Sequence, residues 1–344
     1  MDSRERFFAT IRNEAVDRPA SWMGLPVKGA VPGLLKYFGA SSEKEMKGII
    51  GDDVWPVMVP YHNPPYFDIG CALSFGKSGP GGSQDERTLT APGFFEDYDD
   101  PADVEKFDWP VPSQLIERVE SQKRVTDVPP DKISMAFMWS AHFQDVCSAF
   151  GMEHALTVAM MNPDMFKAVI DRITEFYLEA GEVFYEAVKG ELDVVVIGND
   201  FGSQEAMLTS PEFLRELVFP GTRKLIEQAK SYGFTVMHHS CGSVYPVIGD
   251  IFDMGADIIH PIQALARDMD AEKLSAEFRG RGAFCGGVDA QNLLVNGTPG
   301  QVSERVEELI SLFPSGLVIS PSHEAILPDI PPENIEAMFK PLIN

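Results

Sequence analysis

From residue 131 to the C-terminus the chain alternates short apolar runs with longer amphipathic stretches. The runs are ISMAFMWS (133–140), DVVVIGND (193–200), FTVMHHSC (234–241), ADIIHPIQ (256–263), GAFCGGVD (282–289) and GLVISPSH (316–323). Continuous apolar runs of this length predict strands of a sheet covered on both faces. The stretches between them carry helical spacing: one from Ala141, then 162–190, 210–233, 244–255, 271–280, 298–314 and a closing 331–342. Asn162 with Pro163, Ser210 with Pro211, and Thr298 mark helix starts, Gly190 marks an end, and Pro220 predicts a break. The first 130 residues are irregular, rich in Pro and Gly, with a short helix predicted at 4–13. Residues 76–104, with GPGG and the acidic run EDYDD, read as loop with a hairpin.

Strand–helix alternation implies parallel βαβ units. Seven or eight of them make a (β/α)8 barrel, and a doubly wound open sheet is the competitor. GxGxxG and GxxxxGK[ST] are both missing, which counts against the nucleotide-binding form of that competitor. The expected fold is therefore an α/β TIM barrel. It forms a single domain over 1–344, with an irregular N-terminal part (1–130) and regular units over 131–344.

Charge narrows the partners. With 52 acidic and 28 basic residues the formal net charge is -24, and no Lys/Arg-rich run interrupts it. Nucleic acid and anionic membrane surfaces are poor partners for such a field. Four cysteines, Cys71, Cys147, Cys241 and Cys285, do not make a disulfide framework. The N-terminus lacks the apolar core of a signal peptide, and no apolar run approaches the ~20 residues of a membrane helix. The expectation is a reduced, cytoplasmic protein; a homo-oligomer is one option.

Barrel enzymes draw their chemistry from the C-terminal strand ends. Here those ends carry Asn199-Asp200, His238-His239-Ser240-Cys241, His260 and Gln263, Cys285 and Asp289, and His323-Glu324. His239-x-Cys241 is the sharpest feature, because residues i and i+2 of a strand share a face. An imidazole and a thiolate there suit zinc, or else pack as a buried pair under a Gly turn. His323, Cys285 and His260 are further donor candidates, with Glu324 and Gln263 as ligands or partners of ligands. Cys285 also reads as a small apolar wall residue. Asp200 is either a carboxylate facing the barrel mouth or the cap of the following turn. Asn199, Gln204 and Trp139 are the substrate-contact candidates. The segment 135–143 around Trp139 reads as cavity wall or as core.

The block from Ile197 to Gln263 resembles the uroporphyrinogen decarboxylase superfamily: Asp-x-Gly-x-Gln, Ser-Pro-Glu, a Pro in the helix, His-x-Cys-Gly, then Gly-Ala-Asp. GGVDAQNLLVNGTPGQV and PPENIEAMF match its later blocks. The resemblance implies a (β/α)8 barrel. True decarboxylases of that family hold substrate propionates with N-terminal arginines. Here RPASWMGLPVKGAVPG (18–33) keeps Pro19 and Trp22 but neither arginine of the clamp. The other branch, the corrinoid-linked methyltransferases, binds zinc through His-x-Cys and a distant Cys. The resemblance places His239 and Cys241 on the first two positions. His323, in Pro-Ser-His-Glu, falls on the third, which gives two nitrogens and one sulfur and a more Lewis-acidic ion.

The expected function is a zinc methyltransferase that moves a methyl group between a small methylated substrate or thiol and the cobalt of a corrinoid protein. Asp200 would orient substrate or act as acid/base. A metal-free decarboxylase of a carboxylated tetrapyrrole or aromatic compound is the first alternative. A non-catalytic corrinoid- or tetrapyrrole-binding protein is the second.

Overall fold

In a computed structural model, which describes residues 1–61, 69–75 and 88–343, the apolar runs become strands. In chain order they are β1 (Leu25–Pro26), β2 (Val54–Met58), β3 (Ile133–Trp139), β4 (Val194–Gly198), β5 (Thr235–His239), β6 (Ile258–Ile262), β7 (Ala283–Val288), β8 (Leu317–Pro321) and β9 (Ala325–Ile326). Strands β2 to β8 form one sheet in sequence order, and every neighbouring pair is parallel.

The open edges of this sheet are joined by Ala20–Trp22. The Trp22 N–H donates to the Ile319 carbonyl at 2.9 Å, and the Ile319 N–H to the Ala20 carbonyl at 2.8 Å. On the other side, the Asp53 N–H donates to the Ser21 carbonyl at 3.1 Å. This segment is the eighth stave of a TIM barrel. Just beyond it, β1 pairs with β9.

Alternation within the strands sorts the side chains. Met135 and Phe137, Val194 and Val196, Met237, Ile258, Ala283, Cys285, Val318 and Trp22 pack into one buried cluster inside the barrel. Phe7, from the N-terminal helix Ser3–Ile11, joins that cluster and plugs the bottom. The intervening residues, such as Val195, Ile197, Val236, Ile259 and Phe284, belong to the larger cluster that includes the helices. Each fully buried aliphatic side chain here contributes about 1.5–3 kcal/mol relative to exposure.

The helices start where the capping signals stand. Asn162 accepts from the Met165 N–H at the head of Pro163–Val188, and Thr298 with Gln301 forms a capping box on Pro299–Leu312. The break predicted at Pro220 is a π turn, Leu214–Val218, followed at once by the helix Phe219–Ser231. Proline has no N–H to give, and the wider turn absorbs the register change.

The N-terminal part contains more regular structure than its sequence suggests. Besides β2, it has helices Val31–Phe38, Glu43–Ile50, Pro112–Leu115 and Arg118–Thr126. Residues 88–104 hold turns and the start of a short 3-10 helix, Pro101–Lys106; the GPGG run at 79–82 lies outside the described residues. No helix among the described residues is long and apolar enough to cross a membrane.

An ion cluster fastens the eighth stave. Asp53 is fully buried and accepts from Arg6 Nη1 at 2.7 Å, Arg18 Nη1 at 2.9 Å and the Ser21 N–H at 3.0 Å. Removing one partner of a buried charge cluster leaves the others unpaired. Asp53→Ala should therefore cost roughly 3–5 kcal/mol. The check is the urea midpoint at an unchanged m-value; a shift worth less than about 1 kcal/mol would show that the seam does not depend on this carboxylate.

Candidate functional site

The inward line of β5 runs Met237, His239, Cys241, and that of β6 runs Ile258, His260. The parallel register pairs His239 with His260. Both rings thus rise on the aliphatic floor of the barrel at its C-terminal end. His238, one residue out of phase, faces the helices instead. It stacks on Phe201 at 5.7 Å, and burial pushes its pKa down to about 3.

The two nitrogens of His239 look onto different groups. Nε2 lies 3.4 Å from Cys241 Sγ and 3.3 Å from Asp200 Oδ1. Nδ1 lies 2.9 Å from His260 Nδ1 and 3.9 Å from Glu324 Oε2. Donor atoms that lie within 4.8 Å of one another accordingly form two groups, Asp200–His239–Cys241 and His239–His260–Glu324, which share His239. A thiolate, an imidazole and a carboxylate together suit a borderline-soft divalent cation.

Backbone geometry brings Asp200 to Cys241. The loops after β4 and β5 meet main chain to main chain: a Cβ on Gly242 would lie 2.3 Å from the Gly202 carbonyl, and Gly242 has φ +85°. Only glycine fits that approach. Asp200 Oδ1 then accepts the Cys241 N–H at 2.9 Å. Gln144 pairs with Asp200 twice, its Nε2 donating to Oδ2 at 3.1 Å and its Oε1 accepting the Asp200 N–H at 3.1 Å. Gln144 carried no signal in sequence beyond lying in the first turn after β3. Gln263 Oε1 accepts the Gly242 N–H at 2.6 Å and fixes the same turn from β6.

The other candidates are distributed as follows. Trp139 sets its ring edge-to-face against His239 at 5.2 Å. It does so from a left-handed backbone, φ +56°, followed by Ser140 at +59°. Such conformations cost about 1–3 kcal/mol each for non-glycine residues and collect at functional sites. Asn199 is buried, with Oδ1 accepting the Phe143 N–H at 2.7 Å and Nδ2 at 3.2 Å from His142 Nδ1; its carboxamide is engaged inside the protein. Gln204 Nε2 donates to Gln291 Oε1 at 3.2 Å in the rim loops. Cys285 sits lower, in the aliphatic cluster, and burial pushes its thiol far above the ordinary range.

His323 stands just past β8 rather than on it. Its Nδ1 accepts the Ala325 N–H at 3.1 Å, and the neighbouring Cys241 raises its pKa. Its Nδ1 lies 3.6 Å from Glu324 Oε2. In this ring orientation the His323 proton is on Nε2. To ligate an ion through Nε2, the ring would have to move that proton to Nδ1 and give up Ala325.

Electrostatics follow from these contacts. For Asp200, burial raises the pKa, but the bonds to His239 and Cys241 prevail and hold it at about 2. For His239, burial lowers the pKa, while Asp200, Cys241 and Glu324 raise it further and leave it well above the ordinary value. Burial and the charges of His239 and His323 push His260 well below. The Cys241 thiol is raised by burial and lowered more strongly by His239 and His323.

A strand-ordered barrel with a thiol, imidazoles and carboxylates converging at its C-terminal mouth defines a (β/α)8 protein with its polar chemistry gathered at the strand ends. The chain belongs to the uroporphyrinogen decarboxylase (URO-D) family, whose model matches residues 71–342. Among solved structures it is similar to a methyltransferase from Methanosarcina mazei, with 19% identity, covering 99% of this chain and 98% of that one at a TM-score of 0.67. At that identity the likeness speaks for the fold. A Xanthomonas albilineans dihydropteroate synthase with 4-aminobenzoic acid matches at 18% identity over 45% of this chain and 56% of that one, with a TM-score of only 0.31. No curated protein matches the chain.

Thiol reactivity checks this geometry. Cys241 should react with iodoacetamide at a pH below that of a free thiol, about 8.5, because its thiolate is favoured. Cys147 and Cys285, with thiols raised by burial, should stay unmodified in the folded chain. Peptide mass spectrometry across pH 6–9 reads this, and alkylation of Cys285 before Cys241 would contradict the placement.

Proposed function

We propose that this chain is a zinc-dependent methyltransferase that moves a methyl group between a small methylated substrate or thiol and a corrinoid carried by a separate protein. The observation that carries the reading is the convergence of Cys241 Sγ, His239 Nε2 and Asp200 Oδ1 at the mouth of the barrel. The likeness in fold to a methyltransferase along nearly its whole length supports it.

The residues fit a zinc ion on chemical grounds. A sulfur, a nitrogen and a carboxylate oxygen lie close enough to share one cation, and a catalytic ion needs three protein donors with one position left open. His239, Cys241 and Asp200 would hold it in the ring orientations described. His323 takes a place among the donors only by releasing the Ala325 N–H; otherwise its proximity favours the Cys241 thiolate. When bound, the ion supplies a Lewis acid for the heteroatom that gives or takes the methyl group.

The chain's own groups do the rest. Asp200 stays ionised throughout the physiological range, so it accepts and orients rather than donates a proton. Gln144 fixes the carboxylate plane. Trp139 packs its ring edge-to-face against His239 and holds that imidazole in place. Against a propionate-binding decarboxylase stands Arg18, the arginine of the N-terminal segment. It is bound to Asp53 and the Gly51 carbonyl at the opposite end of the barrel.

Purified protein should carry about one zinc per chain. His239→Ala or Cys241→Ala should lose it together with methyl transfer to cob(I)alamin or from methylcob(III)alamin, while the far-ultraviolet circular dichroism stays unchanged. Cys285→Ser should keep its zinc. Methyl transfer by chelator-stripped, zinc-free protein would overturn the reading.

Metal affinity should also depend on pH. Binding needs the Cys241 thiolate and an unprotonated His239 nitrogen, and His239 holds its proton more tightly than an ordinary histidine. Affinity should therefore fall as pH drops from 8 to 6, measured by competition with a chromophoric chelator. A flat profile would exclude His239 and Cys241 as ligands.

A further inference from the structure

A neutral imidazole has one N–H and one lone pair, so His239 can face an ion with only one of its nitrogens. Nε2 is the nitrogen beside Cys241 and Asp200. Its proton must then sit on Nδ1. The group within hydrogen-bond distance of Nδ1 is His260 Nδ1, at 2.9 Å, whereas Glu324 Oε2 stands off at 3.9 Å. We infer that His260 is a positioning residue: its Nδ1 accepts the His239 Nδ1–H, fixes the tautomer that turns His239 Nε2 toward Cys241 and Asp200, and so decides which of the two donor groups takes the metal. This role rests on the zinc site proposed above.

Three features of the fold support the assignment. The β5–β6 register makes His239 and His260 direct neighbours, so the contact is built into strand pairing rather than into a loop. His260 is 1% exposed and packs its ring 5.3 Å from Trp22, which leaves it little room to turn away. Its Nε2 has no hydrogen-bond partner among the described residues, so no competing bond draws the ring into another tautomer. Metal-ligating histidines ordinarily donate to a carboxylate, a backbone carbonyl or water. An imidazole acceptor brings no negative charge, so it orients the ligand while raising its basicity less than a carboxylate would. The second donor group, His239–His260–Glu324, is thereby excluded: once His260 Nδ1 accepts from His239, neither Nδ1 offers a lone pair to a cation.

The test compares His260→Leu, which removes the acceptor, with His260→Gln, which returns a carbonyl oxygen. Zinc affinity is measured by chelator competition, and the cobalt(II)-substituted protein gives visible bands that report ligand geometry. Leu should weaken zinc binding roughly 10- to 100-fold. Gln should recover most of that loss and keep the cobalt spectrum of the unmutated protein. Thermal unfolding of the metal-free proteins shows that each variant is folded. Affinity of folded His260→Leu within threefold of the unmutated protein would overturn the role. Equal losses in folded Leu and Gln variants would point to packing and overturn it too. If the unmutated chain takes up no zinc, the proposed function itself fails, and that result is separate from any effect of His260.

Discussion

A parallel sheet of seven strands has two unpaired edges, and everything at the mouth of this molecule depends on joining them. The join is three residues long, Ala20–Trp22, hydrogen-bonded to β8 on one side and to Asp53 on the other. Asp53 binds that segment twice, by its own N–H and through its carboxylate, and two arginines neutralise it. The consequence reaches the opposite end of the barrel. Glu324 follows β8 and His239 ends β5, yet their side chains stand 3.9 Å apart across the lumen. Only a closed sheet brings those two strand ends together. Charges at the bottom therefore set the geometry of donors at the top.

The regular half of the fold was legible because buried parallel strands read as unbroken apolar runs, and β3 to β8 all fall inside the runs seen in sequence. β2 was not legible. Its sequence VWPVM carries Pro56, which ordinarily argues against a strand inside a sheet. It is tolerated here because a full ladder, to β3, forms on only one side. The eighth stave is too short to leave any periodic trace. Its role appears only in its hydrogen bonds.

The site was partly legible for the same reason. Period-two alternation put His239 and Cys241 on one face, and strand pairing added His260. What sequence could not give was the third dimension: Asp200 reaches Cys241 because two glycine turns touch, and Gln144 reaches Asp200 from a helix that starts after a strained corner at Trp139 and Ser140. His323, the third ligand that the resemblance implies, has its Nδ1 engaged by the Ala325 N–H, a contact that no sequence pattern announces. Cys285, equally a cysteine on a strand, is lumen filling.

Polar groups inside a barrel lumen are costly unless each is paired, and here the pairing is with one another. Asp200, His239, Cys241 and His260 make a connected chain of bonds, yet His260 Nε2, Glu324 Oε2 and Trp22 Nε1 remain without hydrogen-bond partners among the described residues. A purely structural network would not be expected to leave donors and acceptors buried and unused, nor to rest on two left-handed non-glycine residues. On the proposed reading the strain is offset by the rest of the fold and the site is arranged for a cation. Asp200 and Cys241 stand beside one nitrogen of His239 and Glu324 nearer the other, and a protein of net charge -24 surrounds them. Such a field draws a divalent ion in and disfavours an anionic substrate.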